Sequence, residues 1–128
     1  YLISAACTLV LAQRLARKSC EDCRVPDEDV NPEVLKQLGF TSEQSIRAKV
    51  SRGKGCAKCK DTGYKGRMGV YEILNITKAI KEAILAKATT PEIKKLAQEE
   101  GFRTMQDMGR EMILSGDLNF REFERVLS

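Results

Sequence analysis

Four of the five cysteines fall into two C-x-x-C pairs, Cys20 with Cys23 and Cys56 with Cys59, joined by a long spacer. A C-x-x-C turn sets two sulfurs on one side of a metal and points backbone N–H groups at the thiolates. Two such turns supply the four soft donors of a tetrahedral zinc ion, each at about 2.3 Å. Four thiolates leave no position open for water, so the expected ion is structural and not catalytic. The chain has no histidine, which forbids a mixed Cys/His site and removes the residue that most often moves protons near neutral pH. Lys18, Arg24, Lys54, Lys58 and Lys60 lie near the cysteines in sequence and would offset the negative charge of a tetrathiolate centre. Gly53, Gly55 and Gly63 allow tight turns around it. The competing readings are a redox dithiol, which needs one C-x-x-C at a helix start in a βαβ setting, or two reversible disulfides. Neither explains why there are two pairs. Cys7 is the fifth cysteine, and on an apolar stretch it behaves as a small buried hydrophobe.

The elements that must position these residues follow from caps and periodicity. Ser4 can cap a helix running to about Lys18, apolar on nearly every face until Arg14. Such a helix needs burial all round, so residues 1–18 read as the end of a larger domain, and Tyr1 in place of an initiator Met agrees. Pro26 to Asn31 make a loop. Asn31, Pro32 and Glu33 open a short helix closed by Gly39, and Thr41 with Gln44 opens a second that carries Ile46 and Val50. The glycine-rich stretch from Ser51 to Gly66 reads as turns, and Arg67 to Leu74 alternates as a strand does. Four capped helices then follow. Thr77 opens one with Ile80, Ile84 and Leu85 inward. Thr90, Pro91 and Glu92 open the next, ended by Gly101 with Phe102 folding back on Leu96. Thr104 with Asp107 starts a third, whose Met105, Met108 and Met112 read as core, and Asn119 with Glu122 starts a fourth. The expected fold is mainly α with a small strand region, ending in a small helical bundle.

At 128 residues, 42% hydrophobic and 31% charged, the composition is that of a folded protein, not a disordered tail. Aromatics are 5% with no Trp, so any core is aliphatic, and small separate cores of this kind need a staple. The net charge of +4 is spread along the chain and does not by itself argue for nucleic acid. The apolar run from Leu2 to Ala12 is too short to span a bilayer and lacks the features of a secretion signal, so nothing is expected to export or anchor the chain. Gly53-Lys54 resembles the end of a phosphate loop, but Gly55 stands where Ser or Thr is required and Ala48 where the first glycine should be. Gly63-Tyr64-Lys65-Gly66 matches the G-x-x-G clamp of some RNA-binding domains, yet it reads more simply as a turn from the metal site into a strand. A stand-alone zinc module that binds nucleic acid is the alternative reading, and a redox switch is a third. No residue is assigned a catalytic or cofactor-binding role.

These residues carry a resemblance. Leu2-Ile3-Ser4-Ala5 with Ala12-Gln13-Arg14-Leu15-Ala16-Arg17, the two C-x-x-C pairs, and Gly63-Tyr64-Lys65-Gly66-Arg67-Met68-Gly69-Val70-Tyr71-Glu72 form its centre. Gly101-Phe102-Arg103-Thr104-Met105, Gly109, Gly116 and Glu122-Phe123-Glu124-Arg125-Val126 extend it over nearly the whole chain. The pattern closely resembles the C-terminal part of bacterial secretion ATPases, the type II secretion and type IV pilus assembly motors of the GspE/PilB type. The resemblance implies that residues 1–18 are the C-terminal helix of a truncated RecA-like α/β ATPase domain. It makes 19–75 a tetracysteine zinc-binding subdomain and 76–128 a C-terminal helical subdomain, with Cys20, Cys23, Cys56 and Cys59 as zinc ligands. It places ATP and Mg²⁺ in the missing upstream domain, so the fragment itself would not hydrolyse ATP. It further implies a homo-hexamer in the full-length form, inner-membrane platform proteins as partners, no nucleic acid, and a cytoplasmic site at the periphery of the bacterial inner membrane. Leu118 departs from the family, which often has Thr there, but Asn119 still caps the last helix.

Overall fold

In the computed structural model, which describes residues 1–127, the expected long N-terminal helix ends almost at once. Helix α1 spans only Leu2–Ala6, Cys7 turns extended at φ −84 and ψ 133, and strand β1 (Leu9–Ser19) follows. The reading of a helix to Lys18 is therefore corrected. A short unbroken run of Leu, Val and Ala has the same composition in a buried helix as in a sheet, and here pairing with β4 (Tyr64–Asn75) decides between them. Nor is the segment covered on all sides. Ala16 and Ser19 are buried, whereas Leu9, Val10, Leu11 and Leu15 stay 48%, 47%, 51% and 54% exposed.

The chain divides into two units, described separately. Tyr1–Gln13 and Tyr71–Thr104 make the first. Its core is Ile76, Ile80 and Ala97, against which Cys7, Ile84 and Phe102 pack. Helix α4 (Lys78–Leu85) begins where the Thr77 hydroxyl accepts from the Ile80 N–H. Helix α5 (Thr90–Glu99) is capped by Thr89, one residue earlier than expected, with Glu92 answering in a capping box. Gly101 takes φ +96, a left-handed conformation open to glycine, and so returns Phe102 to the core, its N–H bonded to the Ala97 carbonyl at 2.9 Å. Leu85, expected inward, is 57% exposed because it closes α4 on the side away from this cluster.

Arg14–Val70 and the chain from Met105 onward make the second unit. Strands β2 (Arg24–Pro26) and β3 (Ser51–Gly53) pair antiparallel with Val25 opposite Arg52, a ladder unseen in the turn-rich reading of this region. Between them lie α2 (Pro32–Gln37), capped by Asn31, and α3 (Ser42–Arg47), capped by the expected Thr41–Gln44 box. Helix α3 stops at Arg47, so it does not carry Val50. Val50 is buried beyond the helix end, and Ile46 is 73% exposed. Helices α6 (Met105–Ser115) and α7 (Phe120–Leu127) complete the unit. Met105 and Met112 are buried with Gly109, as core residues of the expected methionine stripe. Helices α4 and α5 bury their apolar sides in the first unit, α6 and α7 in the second.

Candidate metal centre

The four expected ligands meet inside the second unit, two placed at strand ends and two by one turn. Cys20 directly follows β1, and Cys23 directly precedes β2. Cys56 and Cys59 flank and close a single 3-10 turn, Ala57–Cys59. Their sulfurs all lie within 4.8 Å of one another. The Cys20–Cys56 separation is 3.9 Å, Cys23–Cys59 is 3.8 Å and Cys56–Cys59 is 3.7 Å. A tetrahedron with metal–sulfur bonds of about 2.3 Å has edges of about 3.8 Å, so the sulfur cage fits zinc. All four thiols are free, and these distances are far from the roughly 2 Å of a disulfide.

Backbone donors line the cage. Gly55 N–H points at Cys23 Sγ at 3.2 Å, Cys56 N–H at Cys59 Sγ at 3.2 Å and Gly63 N–H at Cys59 Sγ at 3.3 Å. Two main-chain bonds tie the knuckles together: Cys20 N–H to the Gly63 carbonyl and Lys54 N–H to the Cys23 carbonyl, both 2.9 Å. Gly53 and Gly63 approach backbone to backbone, so closely that a Cβ on Gly53 would overlap the Gly63 carbonyl, and Gly63 also holds φ +78. Burial opposes a thiolate at Cys59, yet the N–H groups of Cys56 and Gly63 and the neighbouring Cys56 and Cys23 thiols lower its pKa to about 6. At Cys23 burial outweighs the single Gly55 donor and pushes the thiol up to about 11. Cys59 is thus prepared to ionise before Cys23, and metal uptake at a set of thiols releases protons.

The expected basic rim is partly neutralised by acids. Lys58 pairs with Asp22 at 3.2 Å, Lys18 with Glu21 at 3.0 Å, and Arg24 lies 3.8 Å from Asp117. The chain passes from the sulfur turn straight into β4 at Tyr64, so Tyr64, Lys65 and Gly66, expected as turn, already belong to the strand, which begins three residues before Arg67. Cys7 is half-buried in the first unit and takes no part in the cage.

A second constellation in the same unit went unread in the sequence. Glu122 is fully buried and accepts from the Arg17 N–H at 2.7 Å, from Arg17 Nε at 2.9 Å and Nη2 at 3.2 Å, and from Arg125 Nε and Nη2. Burial raises its pKa, but the hydrogen bonds from Arg125 and Arg17 win and hold it at about 2. Arg17 also stands 4.1 Å over the Tyr64 ring, and the Tyr64 hydroxyl accepts from Asn119. In the sequence Glu122 resembles the closing member of a capping box. Only half of that box forms, because Glu122 N–H bonds Asn119 Oδ1 at 2.7 Å while the carboxylate faces the arginines.

The chain matches the family model described as "Type II/IV secretion system protein" over residues 1–125. It is 38% identical over 120 residues to a "Type IV pilus assembly ATPase PilB" of Thermus thermophilus, covering 94% of this chain and 13% of the relative. It is 34% identical to a PilB of Acinetobacter baylyi, covering 98% of this chain and 22% of that protein. It is also 34% identical to a "Type II secretion system protein E" of Aeromonas hydrophila, covering 98% of this chain and 24% of the relative. The chain thus spans less than a quarter of the length of these three relatives.

Proposed function

Because this chain belongs to the type II/IV secretion system protein family, we propose that it is the zinc-stapled C-terminal portion of a motor ATPase that powers type IV pilus assembly or type II secretion. In this reading Cys20, Cys23, Cys56 and Cys59 hold one structural zinc, and the metal supplies rigidity rather than chemistry. Residues 1–18 are the tail of the RecA-like domain, 19–75 the metal subdomain and 76–128 the helical subdomain. The half-exposed Leu9, Val10 and Leu11 support a longer chain that covers them. ATP and Mg²⁺ bind elsewhere in that chain, so this portion has no catalytic residue of its own. It is a rigid lever or docking surface in a cytoplasmic homo-hexamer, peripheral to the inner membrane, that passes motion to inner-membrane platform proteins. No nucleic acid enters the mechanism.

The observation that carries the proposal is the sulfur cage, in which the Cys20/Cys23 and Cys56/Cys59 knuckles meet with sulfur separations of 3.9 and 3.8 Å between them. A metal there joins segments that a small aliphatic core holds only weakly. The test is Cys56→Ser in the full-length motor, with zinc content and pilus assembly or secretion measured together. Loss of zinc together with loss of function is expected. Function that persists after zinc is lost would overturn the lever.

A further inference from the structure

The arginines around Glu122 open onto a cleft of about 380 Å³ lined by Leu15, Ala16, Arg17, Arg67 and Arg125. We propose that this cleft binds a multiply charged, phosphate-bearing anion, held by Arg17, Arg67 and Arg125. The site lies apart from the sulfur cage and does not rest on the metal reading.

Three observations carry it. The charge is unbalanced: three guanidinium cations line the cleft, and the one carboxylate bonded to them, Glu122, already uses both oxygens on Arg17 and Arg125. Those bonds employ Nε and Nη2 of each arginine, which leaves Nη1 of both without a protein partner among the described residues. Arg67 is exposed on β4 and makes no ion pair among the described residues.

The second observation is rigidity. Arg17 is fixed by two side-chain bonds to a fully buried acid and by the Tyr64 ring at 4.1 Å, and Tyr64 is itself held by Asn119. A guanidinium held this way loses little conformational freedom when a ligand binds, and its planar fork matches the oxygens of a phosphate. The third is valence. An excess of cations suits a multiply charged anion better than a single carboxylate, and an open polar cleft suits a hydrated phosphate better than an apolar ligand.

Phosphate of this kind arrives either free in solution or on a lipid headgroup, so the test has two arms. Inorganic pyrophosphate is titrated into the 128-residue chain, followed by calorimetry and backbone amide shifts. Phosphatidylcholine vesicles with and without phosphatidylglycerol are tested by co-sedimentation. Both arms use wild type, Arg67→Gln and Arg67→Lys. Arg67 has no internal partner, so its replacement leaves the fold intact, which the amide spectrum verifies. Saturable binding is expected in at least one arm, with shifts at the Arg17 amide and Tyr64. Arg67→Gln should weaken it at least about tenfold, the loss of one charge-assisted contact, and Arg67→Lys should restore it in part. Binding confined to the vesicle arm assigns a headgroup, and binding of pyrophosphate assigns a soluble ligand. The site is overturned if neither probe responds to Arg67→Gln, if the shifts gather at Lys54, Lys58 and Lys60, or if a glutamate-rich peptide binds more tightly than pyrophosphate.

Discussion

Glu122 shows how a buried charge can work for a fold when every oxygen is answered. Its pKa of about 2 lies below the unfolded carboxylate value of about 4.3, so the native state favours the ionised form. The stabilisation, on the order of 3 kcal/mol, is therefore complete above about pH 5 and lost as pH falls through about 2. Chemical unfolding of wild type between pH 6 and pH 2.5 should show this loss, and Glu122→Gln should flatten it. At neutral pH the same variant should cost up to about 3 kcal/mol, because it removes the carboxylate charge that Arg17 and Arg125 stabilise. Cys59 is the matching case at the sulfur cage. It receives two backbone N–H groups, so Cys59→Ser removes a sulfur whose thiolate is already favoured. Zinc content measured by mass spectrometry should fall to background in that variant.

At the scale of elements, glycines set how closely segments approach. Gly53 of β3 meets Gly63 beside the sulfur cage, and a methyl group there would collide with backbone, which cannot rotate away. Gly53→Ala should therefore abolish zinc retention, whereas Lys54→Ala, one residue on and exposed, should leave it intact. Gly109 of α6 is a different kind of contact, because its Cβ would lie 2.7 Å from the Phe123 ring on α7 and would also strike Leu127. Alanine gains up to about 1 kcal/mol in helix propensity, but overpacking costs about 1 to 3 kcal/mol. Gly109→Ala should lower the midpoint of thermal unfolding in spite of its better propensity.

At the scale of the molecule, the two units depend on different forces. The first buries Ile76, Ile80 and Ala97 and contains none of the four clustered cysteines, whereas the second contains them all. A strong zinc chelator should therefore speed amide exchange around β2, β3 and the Ala57–Cys59 turn, and leave Ile80 and Ala97 protected. Equal loss of protection in both units would show that the first has no core sufficient for itself. Leu9, Val10 and Leu11 in the first unit and Leu15 in the second each stay about half exposed. No described helix is long and apolar enough to cross a membrane.

Legible from the sequence alone were the grouping of the four cysteines, the caps at Asn31, Thr41, Thr77 and Asn119, and the family, because each rests on residue types at short fixed spacings. Local chemistry of that kind survives any arrangement of the rest. Tertiary structure alone decided that Leu9–Ser19 is a strand, since an unbroken apolar run carries no period and takes its form from the β4 partner. The same holds for the division of the last four helices between two units, and for Glu122 meeting Arg17 across most of the chain. Burial and charge pairing at long separation depend on where the backbone travels, and that leaves no mark on neighbouring residues.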